Sequence, residues 1–302
     1  MYRKNITIIT GTGGALGTGH FQRMCYLADS LNSTGNFSVS LCITEGSPDV
    51  PESLKEIMAD TIPPGTELII RDMRDSSEED INFLRKKAAV LVIDDTGPGR
   101  NVADHIIDLL PNPVNRSVPE KMFLFGYNFI SEIKSMKAEV IAKDIDVAIY
   151  AGYKPDPDVV EGIRGSIPPG ASAVLFSYGR PSLIAGEKIH VDTSYTDLLL
   201  RSRILITHFG ITMYEGDLAG CRILTVNPTD YHSRLTAMIT GKINVIQAGE
   251  YGNIDHKFIY GEIARVRKTS GFQIISKGSI RERININFEY FLRMFNNIIS
   301  RG

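Results

Sequence analysis

Short β-branched runs alternate with stretches of helical spacing along most of the chain. Residues 5–10, 39–44, 67–71 and 90–94 read as strands, each closing near Gly, Asp or Pro, while 20–31 and 102–110 read as helices. Alternation of this kind predicts parallel sheets covered on both faces. Pro111, Pro113 and Pro119 then interrupt the series, with a brief apolar strand expected at 122–125 and a helix at 131–142. A second series of strands follows at 147–150, 173–176, 204–207, 222–226 and 243–247. Phe288, Phe291, Leu292, Phe295 and Ile299 mark an amphipathic terminal helix over 288–299. The expectation is an α/β fold of two Rossmann-like domains, 1–143 and 144–302, facing across a cleft. Ligands of such sheets bind just beyond the carboxyl ends of the strands.

Composition narrows the partners. Lys and Arg number 33 against 35 Asp and Glu, so no overall field exists to hold a polyanion, and a general nucleic-acid binder is not expected. The absence of Trp removes the best stacking platform for sugar rings and argues against a polysaccharide-binding module. Cys25, Cys42 and Cys221 are widely spaced and form no C-x-x-C pair, which predicts buried thiols rather than a disulfide framework or zinc site. The basic start carries only a five-residue apolar stretch before Gly11, too short for a signal core or a spanning helix. A cytoplasmic protein without an integral membrane segment is expected.

Candidate chemistry begins after the first strand, where Gly11, Gly13, Gly14, Gly17 and Gly19 fall within nine positions. Backbone amides at such a turn can face phosphate oxygens, and the helix N-terminus adds partial positive charge. Known fingerprints fit poorly. Leu16 or Gln22 stands where a dinucleotide loop needs Gly, and His20 replaces the lysine of a P-loop. What remains is a histidine opening a helix, with Arg23 one turn on. A helix N-terminus disfavours imidazolium, so His20 is suited to accept a proton as a general base. The plainer alternative makes His20 a cap and Arg23 a surface residue.

The second half has a similar turn at Gly210-Ile211-Thr212, with Glu215 following. Thr212 and Glu215 have the spacing of a capping box, which needs no ligand. Alternatively, free amides near Gly210 hold a diphosphate and Glu215 accepts hydrogen bonds from ribose hydroxyls. Asp72, Asp94 and Asp95 close strands and can be ordinary turn residues. Two adjacent carboxylates could also bind Mg²⁺, but no third acidic ligand has suggestive spacing, so no metal is expected.

GTGHFQRMCYLADSL, containing His20 and Arg23, resembles the Gly-His-x-x-Arg-x-x-x-Leu-Ala signature of the UDP-2,4-diacetamido-2,4,6-trideoxy-β-L-altropyranose hydrolases of pseudaminic acid biosynthesis. These are relatives of the MurG-like glycosyltransferases. ELIIRDMRDSSEEDINFLRKKAAVLVIDDTG, DVAIYAGYKPDPDVV and RILITHFGITMYEGDLAGCRILTV extend the resemblance, in order, over most of the chain. The sequence departs from that family at Ala151-Gly152-Tyr153-Lys154, at Thr229-Asp230-Tyr231-His232 and in lacking an Arg-x-Glu-Phe stretch after LFGYNF.

The resemblance implies a glycosyltransferase-B type fold and hydrolysis of a nucleotide-activated amino or deoxy sugar, with a UDP-sugar as substrate and no cofactor. His20 would then activate water at the anomeric carbon. Gly17, Thr18, Gly19, Arg23, Gly152, Gly210, Ile211, Thr212 and Glu215 would serve the nucleotide. Asp72 and Asp95 would bind the sugar or hold the His20 loop. The alternatives are a glycosyltransferase with the same donor and a non-catalytic nucleotide-sugar-binding protein.

Overall fold

A computed structural model describes residues 3–13, 17–113, 125–152, 154–177, 180–185, 194–268 and 274–301. The strand expected at 122–125 falls mostly outside them. The chain divides into two compact units, Met1–Ile130 with Ile284–Gly302, and Ser131–Arg283. The end of the terminal helix therefore belongs with the first unit, which a single division at residue 143 does not provide for.

The first unit runs β1 (Lys4–Gly11), α1 (Gly19–Ser33), β2 (Phe37–Glu45), β3 (Leu68–Asp72), α2 (Glu78–Arg85), β4 (Ala89–Ile93) and β5 (His105–Ile107), with α3 (Tyr127–Ser135) reaching the second. Its five-stranded sheet has the order β2-β1-β3-β4-β5, parallel throughout. Strands buried on both faces need apolar side chains on both, and Leu68, Ile69, Ile70 and Val90 to Ile93 are completely buried. The chain goes from β1 to β2 on one side and then to β3 on the other, so the topological switch point lies between β1 and β3.

The second unit comprises β6 (Val140–Ala142), β7 (Ile145–Tyr150), α4 (Pro157–Gly165), β8 (Ala173–Ser177), β9 (Arg180–Ala185), α5 (Tyr195–Arg201), β10 (Ser202–Thr207), α6 (Ile211–Leu218), β11 (Arg222–Asn227), α7 (Asp230–Ile239), β12 (Val245–Glu250), β13 (Asn253–Ile254), α8 (His256–Lys268) and β14 (Ile274–Ser276). The long α9 (Lys277–Arg301) closes the chain. Its seven-stranded sheet has the order β13-β12-β11-β10-β7-β8-β9, with antiparallel pairing only at the β13 and β9 edges among the described residues. The switch point here lies between β7 and β10. β14 pairs separately with β6.

The helix expected at 102–110 is instead a short 3-10 turn, Pro98–Val102, followed by β5. Its amides have better partners than a helix: Asp94 Oδ1 accepts from the backbone N–H groups of Leu109 and Leu110, and β5 pairs with β4. The helix expected at 131–142 ends at Ser135, and Val140–Ala142 forms β6. All three cysteines are buried and free.

The turn after β4 is built around Asp95 and packs so closely on residues 75–77 that Gly97 has no room for a side chain. A Cβ there would lie 2.4 Å from the Ser76 carbonyl oxygen and 2.6 Å from the Asp75 carbonyl carbon. Gly97→Ala must displace backbone, and we expect a loss of about 1–3 kcal/mol, read as a lower melting temperature.

Candidate functional site

Phe21, Met24, Leu27, Ala28 and Leu31 are buried on α1, which fixes the helix against the sheet and brings its first turn over the β1/β3 switch point. His20 is only 6% exposed there. Its Nδ1 lies 2.7 Å from Oδ1 of Asp72, the last residue of β3, whose side chain is completely buried. Arg23 is not on the surface. It is 5% exposed and grips Asp72 along one edge, Nε to Oδ2 and Nη2 to Oδ1, both at 2.5 Å. Its Nη1 pairs with Asp94 Oδ2 at 2.7 Å.

These contacts settle the charge of the cluster. Burial opposes ionisation of Asp72, but Arg23 and then His20 overcome it and hold the carboxyl down at about 2. Burial likewise opposes the Arg23 charge, yet Asp72 and Asp94 raise its pKa above the ordinary guanidinium value. Asp94 moves the other way: burial, joined by Asp72, raises its carboxyl above the usual range, against Arg23 and the amides of Leu110 and Leu109. With Asp72 ionised, the 2.7 Å contact is made by a proton on Nδ1 of His20, the arrangement in which Nε2 is left free to accept one.

Gly17 and Thr18 are exposed ahead of α1, while Gly19 is half-buried as its first residue. Thr18 occupies the N-cap, and its own side chain makes no cap bond to the first turn. Gly14, Ala15 and Leu16 lie outside the described residues. Asp95 is not at the His20 cluster. Fully buried, it accepts from the Ser76 amide and hydroxyl, the Gly97 amide and Arg71, so its carboxylate holds a turn together.

In the second unit the capping box is not formed. Gly210 is the N-cap of α6 with no side-chain cap bond, and Thr212 and Glu215 lie inside the helix. Both are buried, and Glu215 accepts a 2.7 Å hydrogen bond from the Tyr195 hydroxyl. Burial and then Glu215 push the Tyr195 pKa far above its ordinary value. Ile211 is the partly buried first residue of α6. Gly152, just past β7, has φ of +102°, and a side chain there would point at His208, whose Nε2 lies 3.7 Å from the Cβ position. Tyr153 is outside the described residues.

The β7/β10 switch point also gathers residues that no motif spacing identified. The His208 ring centroid lies 6.3 Å from that of Tyr150 and 6.4 Å from that of His232, and its Nδ1–H donates to the Phe209 carbonyl at 2.9 Å. Burial lowers the His208 pKa, partly offset by that bond. His208 was visible in the sequence as the residue two before Gly210. Tyr195 gave no comparable signal, and Asp94 stood out only as a strand-closing carboxylate beside Asp95. Among the described residues, no group of three or more His, Cys, Asp or Glu is placed to hold a metal ion. No helix among them is long and apolar enough to cross a membrane.

The two Rossmann-like units give the chain an α/β fold of the glycosyltransferase-B type. Solved structures similar to this chain carry the same fold. The spinosyn rhamnosyltransferase SpnG matches with a TM-score of 0.59 and 11% identity, over 98% of this chain and 100% of that one. LpCGTa in complex with UDP matches with a TM-score of 0.57 and 9% identity, over 99% of each chain. The glycotransferase of kitacinnamycin matches with a TM-score of 0.54 and 10% identity, over 94% of this chain and 96% of that one. No family model and no curated protein matches the sequence.

Proposed function

We propose that this protein is an enzyme that hydrolyses a UDP-activated amino or deoxy sugar at the anomeric carbon, releasing UDP and the free sugar. The observation that carries this reading is the buried His20–Asp72 pair, which leaves Nε2 of His20 as a base at the first switch point. A glycosyl diphosphate already has a good leaving group. The enzyme therefore needs to place water, remove its proton and steady the departing charge.

Roles divide by unit. In the first, His20 takes the proton from water for attack with inversion, Asp72 orients it, and the amides of Gly17 to Gly19 face phosphate. In the second, the open N-terminus of α6 at Gly210, Ile211 and Thr212 receives the diphosphate, with Gly152 leaving room beside it. Glu215 accepts from ribose hydroxyls while Tyr195 holds it in place. Glu215→Gln is expected to weaken UDP binding by about tenfold, the scale of one hydrogen bond to a charged acceptor. Calorimetric titration with UDP checks this.

Transfer to an acceptor hydroxyl is the second reading, favoured by the names of SpnG and the kitacinnamycin enzyme. Water rather than an alcohol as nucleophile rests on the resemblance around His20 and Arg23. Incubation with a panel of UDP-, CMP- and GDP-sugars, with and without candidate acceptors, separates the two. Nucleotide release without acceptor selects hydrolysis, and release only with acceptor selects transfer.

A further inference from the structure

Asp94 is one of two non-glycine residues with positive φ among the described residues, at +50°. Aspartate tolerates this left-handed conformation better than most residues, but the geometry persists only where surroundings hold it. Here they do. Oδ1 accepts from the Leu109 and Leu110 amides at 2.7 and 2.9 Å, which anchors the carboxylate, and Oδ2 faces Nη1 of Arg23 in an ion pair at 2.7 Å. Arg23 is thereby gripped by two carboxylates, Asp94 at Nη1 and Asp72 at Nε and Nη2.

The consequence falls on His20. Nη2 of Arg23 lies 3.2 Å from Nδ1 of His20, and both groups meet at Oδ1 of Asp72. Two arrangements compete. With the guanidinium held against Asp72, His20 Nδ1–H donates to Oδ1 and Nε2 is bare. If Arg23 swings from Asp72 and donates to Nδ1, the ring proton sits on Nε2 and the base is lost. Asp94 holds the far end of Arg23 and favours the first arrangement.

We propose that Asp94 is a positioning residue that fixes the tautomer of His20, acting through Arg23 and Asp72; this rests on His20 being the base in the function proposed above. Asp94→Asn is a suitable probe because Asn also tolerates positive φ. Its side chain is neutral, and with its one oxygen held by the Leu109 and Leu110 amides it turns an NH₂ group, not a carboxylate oxygen, toward Arg23.

The test is nitrogen NMR of the full chain labelled with ¹⁵N-histidine, without substrate, the His20 signals being assigned by their loss in His20→Gln. The unsubstituted protein is expected to show a protonated Nδ1 and a bare Nε2, and Asp94→Asn to shift toward the Nε2–H tautomer. Should that variant fail to fold, Asp94→Gly, whose backbone reaches +50° freely, takes its place. In turnover, kcat is expected to fall roughly 10- to 100-fold with KM unchanged, as for a misplaced catalytic group. The same substitution should add nothing in a His20→Asn background. An unchanged His20 tautomer in the Asp94 variants overturns the proposal, as does a protonated Nε2 in the unsubstituted protein. Absence of turnover with every sugar nucleotide would instead sink the hydrolase reading, and the tautomer comparison would still decide the role of Asp94.

Discussion

Replacing His20 with Asn is expected to leave UDP binding intact while lowering turnover at least about 100-fold, the lower end for loss of a general base. The asparagine amide can still donate to Oδ1 of Asp72, and Arg23 keeps both carboxylate partners, so the buried cluster should survive. What disappears is the bare ring nitrogen. A variant that binds UDP normally and retains full turnover would remove His20 from the chemistry.

Asp72→Asn is expected to cost turnover on the order of 100-fold or more, because a neutral amide no longer dictates which imidazole nitrogen carries the proton. Unlike the His20 substitution, it should also cost stability. Arg23 is left buried with one carboxylate fewer, and breaking such a pair typically costs about 3–5 kcal/mol. Turnover should therefore be compared per folded molecule, below the lowered melting temperature. The pH dependence gives a separate readout. The folded-state Asp72 carboxyl titrates near 2 against an ordinary 3.8. Its stabilising contribution, about 2 kcal/mol, is therefore complete above about pH 4 and is lost as the pH falls toward 2. Denaturant titrations across that window should show this loss in the unsubstituted protein and its absence in Asp72→Asn.

The alternating architecture was legible because parallel strands covered on both faces need near-continuous apolar runs, and the segments at 173–176 and 204–207 fall inside β8 and β10. The stretch at 102–110 misled because nine residues can satisfy either period, and the decision was made by Asp94, whose carboxylate captures the Leu109 and Leu110 amides. The terminal helix is longer than its apolar stripe suggested, beginning at Lys277. His20 stood out through its glycine loop. Its proximity to Asp72 could not be read, because 52 residues separate them and only the strand order β1-β3 brings them together. The paired spacing of Thr212 and Glu215 suggested a cap, but Gly210 begins the helix and Tyr195, from another element, takes up the glutamate. Asp94 and Asp95 are adjacent in sequence yet serve different partners, Arg23 and the 75–97 turn, a separation set by the turn of backbone at φ +50°.

The most direct measurement is turnover of UDP-sugars in H₂¹⁸O, without acceptor, comparing the unsubstituted protein with His20→Asn and weighing the released UDP. Water attack at the anomeric carbon predicts UDP without the heavy isotope, released at least about 100-fold faster by the unsubstituted protein. ¹⁸O in the β-phosphate, or equal release by the two proteins, would contradict His20-activated hydrolysis at the sugar carbon.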